Sequence, residues 1–173
     1  MYTCPFNFYK MRNFVLFFLV TVVFFFFNSC EKEDEIDTVK PSIELSLDET
    51  FPLNCDTLYF GESFDFIVLF TDNIELGSFS IDIHNNFDHH SHSTEVTECS
   101  LDPIKDPENP FVFIEDYSIQ NGLDEYLTEL SVFIESGNDN GIFDEGDYHF
   151  FISLTDKEGW STQKGLSIKL LHR

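Results

Sequence analysis

Apolar residues return at every second position along most of the chain beyond residue 42. Ile43, Leu45 and Leu47 alternate with Ser42, Glu44, Ser46 and Asp48. Phe64, Phe66, Val68 and Phe70 alternate with Asp65, Ile67, Leu69 and Thr71, and Phe79, Ile81 and Ile83 with Ser80, Asp82 and His84. The same holds for Leu130 to Ile134, Tyr148 to Leu154 and Leu166 to Leu170. A period of two sends successive side chains to opposite faces, so each run reads as a strand buried on one side. With the apolar run Phe111–Ile114 the series makes seven strands. Asp72-Asn73, Glu75-Leu76-Gly77, Asn121-Gly122, Asn140-Gly141 and Glu158-Gly159 punctuate them as turns. Helical spacing never persists for three turns, and Leu123–Leu130 is the one window that fits a short helix. Seven short strands in about 130 residues predict an all-β, two-sheet antiparallel sandwich over residues 42–173.

The strands follow a different kind of sequence. Phe14 to Phe27 is apolar except for Thr21, with Lys10 and Arg12 just ahead of it. Spanning a bilayer takes about 20 apolar residues, whereas a signal-peptide core takes roughly 7–15. The run therefore reads as a signal peptide over residues 1–29. Met11-Arg12-Asn13 also makes a tidy start, which would leave residues 1–10, with Cys4, untranslated. Phe27-Asn28-Ser29-Cys30 resembles the lipobox of bacterial lipoproteins, with Phe27 where Leu is usual and Asn28 where a small residue is usual. That resemblance implies lipidation of Cys30. The alternative is a plain secretory signal and an ordinary thiol. Glu31-Lys32-Glu33-Asp34-Glu35 resembles the surface-export tether of Bacteroidota lipoproteins, giving an acidic tether over residues 30–41. An outer-membrane lipoprotein is expected, facing the cell surface or the periplasm. Two or three acyl chains, not one, make such an anchor stable.

Removing residues 1–29 takes away Lys10 and Arg12 and no acid. Seven basic residues then face 32 acids, a net charge of −25. Such a field repels phosphate backbones, so no nucleic-acid partner is expected, and it attracts cations. Cys55 and Cys99 are the other mature cysteines. In an oxidising compartment they form one bridge or stay as two buried thiols.

Ile81 to His92, I-D-I-H-N-N-F-D-H-H-S-H, concentrates the possible chemistry. With Phe79, Ile81 and Ile83 facing the core, Asp82 and His84 point the other way, as does His149 between Tyr148 and Phe150. In an immunoglobulin-like sandwich the third and sixth strands are neighbours, which puts His84 and His149 on one face. The loop Asn85–His92 then brings His89, His90 or His92 down to them. Three imidazoles suit Zn, Cu or Ni, and a carboxylate from Asp82 or Asp88 suits Zn or Fe. The spacing H-x4-H-H-x-H matches no standard metal signature. A solvated loop, a polar packing role and the gripping of a partner are the competing readings.

Tyr148 through Trp160 resembles the F strand and F–G turn of bacterial immunoglobulin-like domains, as does the Phe70-Thr71-Asp72-Asn73 turn ahead of Phe79. Trp160 is then expected at a loop end. Ile81–His92, Tyr148-His149-Phe150 and Asp156-Lys157-Glu158-Gly159 resemble an uncharacterised family of Bacteroidota lipoproteins with an immunoglobulin-like domain and no assigned function. The resemblance spans roughly Lys40 to Leu170 and implies fold and location. Asp139–Asp147 is an added loop relative to that family.

Ser136–Asp147 can be laid on the calcium loop of an EF-hand, with Gly141 at the sixth position. Asn138, Asn140, the Ile142 carbonyl, Asp144 and Asp147 then fall on ligand positions, while Ser136 replaces the first aspartate. A polar hairpin needs the same residues. No phosphate-cradling glycine loop or nucleophile elbow is present, and no general base stands out, so no enzyme is expected. The expected function is a non-enzymatic, membrane-anchored module binding an envelope protein or glycan, with a divalent metal at the histidines. A Zn- or Cu-handling lipoprotein and a structural or adhesive surface domain are the alternatives.

Overall fold

The computed structural model describes residues 36–90, 94–95 and 98–173. These residues form strands and connections, with no helix among them. The strands are β1 (Ser42–Glu44), β2 (Thr57–Tyr59), β3 (Ser63–Phe66), β4 (Leu69–Thr71), β5 (Leu76–Asn85), β6 (Phe113–Ser118), β7 (Glu125–Leu127), β8 (Leu130–Phe133), β9 (Gly137–Asn138), β10 (Gly141–Ile142), β11 (Gly146–Asp156) and β12 (Ser161–Leu171). Five make a curled, half-barrel sheet in the order β2-β12-β11-β5-β6. β1-β4-β7 and β3-β8 form smaller sheets, and β9-β10 is a short hairpin. Asp37–Arg173 is one compact unit, which takes in residues 37–41 of the stretch expected to be tether.

β3 with β8 and β4 with β7 are two halves of one ladder. Phe66 pairs with Leu130 and Leu69 with Leu127, without a change of register across the gap. Between the halves Thr128 N–H still donates to the Val68 carbonyl at 3.0 Å, while Ile67 faces the other edge and exchanges bonds of 3.0 and 3.1 Å with Phe51. The gap is one missing bond, from Val68 N–H to the Thr128 carbonyl. Thr128, fully buried, fills it. Its hydroxyl accepts the Val68 N–H at 2.8 Å and donates to the Phe66 carbonyl at 2.8 Å. A side chain thus replaces the missing ladder rung.

The core lies where these strands face the five-stranded sheet. Phe66 stacks on Phe79 and on Phe150 with ring centroids 6.0 and 5.9 Å apart, and Phe70 meets Phe79 at 5.0 Å. Ile81, Ile83, Ile152 and Leu154 are fully buried beside them, as the period-two pattern requires.

The structure corrects three expectations. Leu123–Leu130 holds no helix but β7, because β4 needs a partner for its free edge and Tyr126 packs inward at strand spacing. The sheet is not wholly antiparallel, since β2 runs parallel to β12. Three residues with one buried position, Leu58, are too short to reveal β2 by periodicity. The strand expected from Phe111 starts at Phe113 and runs to Ser118 along an exposed edge. Trp160 stands at the turn before β12, where its Nε1–H donates to the Asp37 carbonyl.

Candidate functional site: an imidazole face

β5 and β11 pair antiparallel with His149 directly opposite His84. Inward-pointing Tyr148 and Phe150 are fully buried, so both histidines lie on the sheet's other face, with Asp82 and Phe151. That face is partly covered, with His84 and Asp82 still half-exposed. After β5 the chain folds back across it. Asn86 N–H extends the β5–β11 ladder to the Asp147 carbonyl at 2.8 Å, and beyond it Thr94 N–H donates to the Gly165 carbonyl of β12 at 2.9 Å. Farther along, Cys99 is joined to Cys55. The disulfide fastens the end of the crossing segment to the start of β2. Covered in this way, His149 is only 1% exposed.

Three rings lie side by side there, although their nitrogens do not all come within 4.8 Å of one another, so a shared metal ion would have to draw the rings closer. The His90 centroid lies 4.9 Å from that of His149 and 5.9 Å from that of His84, and His84 lies 5.5 Å from His149. Phe151 closes one side at 5.8 Å from His84 and 5.9 Å from His149. Each of two histidines is oriented by the aspartate two residues before it. His84 Nδ1 is 2.8 Å from Asp82 Oδ1, and His90 Nδ1 bonds Asp88 Oδ1. An Nδ1–H given to a carboxylate fixes the tautomer whose lone pair is on Nε2. His149 has the opposite arrangement, since its Nε2 donates to the His90 carbonyl at 3.0 Å and thereby puts the lone pair on Nδ1. The hydrogen bond from His90 holds the Asp88 carboxyl below its usual range.

The structure therefore sorts the expected ligands. It brings His84, His90 and His149 together, and makes Asp82 and Asp88 partners of imidazoles. His89 adopts φ 59°, a left-handed conformation that turns it out of the group. Its Nε2 donates to the Asp102 carbonyl at 2.9 Å and lies 3.9 Å from Asp147. His92 and Cys30 lie outside the described residues. Phe151 was not among the expected site residues, although its outward parity on β11 was visible.

Four of the five expected calcium ligands, Asn138, the Ile142 carbonyl, Asp144 and Asp147, already accept hydrogen bonds from within the chain. Asp144 Oδ2 accepts the N–H groups of Glu108 and Asn109, at 2.7 and 2.8 Å. Asn109 Nδ2 bonds Asn138 Oδ1 and the Ile142 carbonyl, and Asn138 Oδ1 also accepts the Asn140 N–H. Asp147 is turned to Lys169 at 2.9 Å and to the Asp102 N–H at 2.7 Å. Burial alone would lower the Lys169 ammonium, but its bonds to Asp102 and Asp147 outweigh that and raise it. The segment is the β9–β10 hairpin, with its polar groups clamping residues 108 and 109.

Residues 28–171 match the family described as Domain of unknown function (DUF4625). The chain belongs to that family. The matched span contains β5, β11 and the crossing segment, hence the whole imidazole face, and begins two residues ahead of Cys30. No curated protein matches the chain. No helix among the described residues is long and apolar enough to cross a membrane.

Proposed function

We propose that this DUF4625 chain is a lipid-anchored, non-enzymatic module of the bacterial outer membrane that binds an envelope protein or glycan. A divalent transition metal on the imidazole face takes part in that contact. The reading rests on one observation: His84, His90 and His149 converge, with two of the rings oriented by carboxylates. Carboxylates on the far ring nitrogen raise ligand basicity and fix ring orientation, a recurring arrangement around protein-bound zinc. Imidazole donors select Zn, Cu or Ni over hard cations. The apolar run ahead of Cys30, and a family match reaching back to residue 28, support the anchored location.

The domain is proposed to be immunoglobulin-like. β12, β11 and β5 pair in the order of strands G, F and C, while β1, β3/β4 and β7/β8 pair as strands A, B and E. Tyr148, near the start of β11, donates its hydroxyl to the Asp144 carbonyl at 2.6 Å, the tyrosine-corner contact of that fold.

Elemental analysis of the untagged full chain in detergent tests the metal, before and after chelator. About one Zn or Cu per chain, absent from His84→Ala and His90→Ala, is expected. Metal-free protein that takes up none on addition overturns the reading. A second reading, a structural surface domain, is favoured by the burial of His149 and its bond to the His90 carbonyl. Here the ring clamps the crossing segment, and His149→Phe would destabilise the chain equally with and without chelator.

A further inference from the structure

Three aspartates, far apart in sequence, meet at the opposite end of β5 and β11 from the histidines. Ligand atoms of Asp37, Asp72 and Asp156 all lie within 4.8 Å of one another. Each comes from a different segment: the entry into the domain, the β4–β5 turn and the end of β11. Asp72 uses one oxygen, Oδ2, to accept the N–H groups of Ile74 and Glu75 at 2.9 and 2.8 Å. Asp156 likewise gives Oδ1 to the N–H groups of Gly159 and Trp160, at 2.6 and 2.8 Å. The second oxygens, Asp72 Oδ1 and Asp156 Oδ2, are buried and accept no hydrogen bond. Asp37 and Asp156 are each only 4% exposed. Asp37 is held by the Val39 N–H, by Asn73 Nδ2 and, through its carbonyl, by the Trp160 indole.

The backbone is shaped to bury Asp156. The β5–β11 register shifts between Thr155 and Asp156, the kind of bulge that re-aims a side chain. Gly77 on β5 lets the strands close there, since a Cβ at that position would stand 2.6 Å from the Asp156 carbonyl.

Buried carboxylate oxygens without a donor are unfavourable, and three crowded carboxylates repel one another. Among the described residues, no lysine, arginine or histidine ion pair reaches any of the three. We propose that Asp37, Asp72 and Asp156 form a calcium site that fastens the start of the domain to its β4–β5 and β11–β12 turns. All donors are carboxylate oxygens, with no imidazole or thiolate, which selects a hard cation. Calcium accepts crowded carboxylates in irregular geometry, whereas magnesium demands an octahedron and keeps its waters. Extracellular calcium modules work at about 0.1–1 mM, the regime for a three-carboxylate site partly completed by water. This site is independent of the imidazole face in position and in donor type.

Trp160 is the only tryptophan and bonds Asp37, so it reports on the site without a mutation. The full chain in detergent is stripped with EGTA and titrated with CaCl2 while Trp160 emission and heat are recorded. Terbium, sensitised by Trp160, is titrated in parallel. One calcium per chain is expected, with a change in Trp160 emission. Asp72→Asn and Asp156→Asn should each weaken binding at least tenfold, whereas Asp144→Asn in the β9–β10 segment should leave it unchanged. No bound calcium up to about 10 mM, tenfold above the weakest extracellular sites, overturns the proposal. So does calcium binding that survives both substitutions.

Discussion

Replacing Thr128 by valine keeps the shape of a fully buried side chain and removes only its hydroxyl. Two hydrogen bonds go with it, the one accepted from Val68 N–H and the one donated to the Phe66 carbonyl, each 2.8 Å long. Val68 and Phe66 are themselves fully buried, so water cannot take the hydroxyl's place. Stranding a buried donor costs about 1–3 kcal/mol, and the lost bond to the carbonyl adds about 1. Thr128→Val is therefore expected to lower stability by about 2–4 kcal/mol, a large part of the roughly 5–15 kcal/mol that holds a domain folded. Thr128→Ser keeps both bonds and loses one buried methyl, worth about 1 kcal/mol. Urea unfolding followed by far-UV circular dichroism separates the two. With a slope of about 2 kcal/mol/M, the valine midpoint should fall by about 1–2 M and the serine midpoint by about 0.5 M. A serine variant less stable than the valine variant would refute the side-chain rung.

Lys169 holds the buried Asp147, so Lys169→Met should destabilise by about 3 kcal/mol at neutral pH by stranding that carboxylate. Because the Lys169 ammonium is raised in the fold, its stabilisation is complete below its unfolded value near 10.4 and fades as pH rises above it, which an alkaline unfolding series would record. Burial also raises the Tyr148 phenol, so ionisation of the unfolded chain above about pH 10 should drain stability from the native protein. Tyr148→Phe, which loses the bond to the Asp144 carbonyl and strands the buried Phe111 N–H, should cost about 2–4 kcal/mol at pH 7 and flatten that alkaline decline.

Much of the sheet could be read from the chain. Strict alternation marked β5, β11 and β12, and the same parity put His84 and His149 outward on neighbouring strands, where they stand opposite each other. What parity does not reveal is what covers an outer face. The sequence after β5 carries no period, and only the bonds of His90 to His149, Thr94 to Gly165 and Cys99 to Cys55 reveal that His149 is covered. The positive φ of His89 likewise depends on its local turn and on the Asp102 carbonyl it reaches, not on residue type. Spacing is legible only where ligands lie in one contiguous stretch, as in Ser136–Asp147. Asp37, Asp72 and Asp156 are spread over three segments, and each looks alone like an ordinary turn residue. Thr128 was invisible for the opposite reason: a buried polar residue inside a strand pattern reads as noise until its backbone partners are known.

Zinc titration of the full chain in detergent, read by calorimetry on the native protein and on His84→Ala and His90→Ala, tests the imidazole face most directly. One zinc per chain in the native protein, lost in both variants and unaffected by Asp156→Asn, is the predicted result. No zinc uptake, or uptake that both histidine variants retain, would contradict a metal centre on this face and leave its histidines as the clamp of the crossing segment.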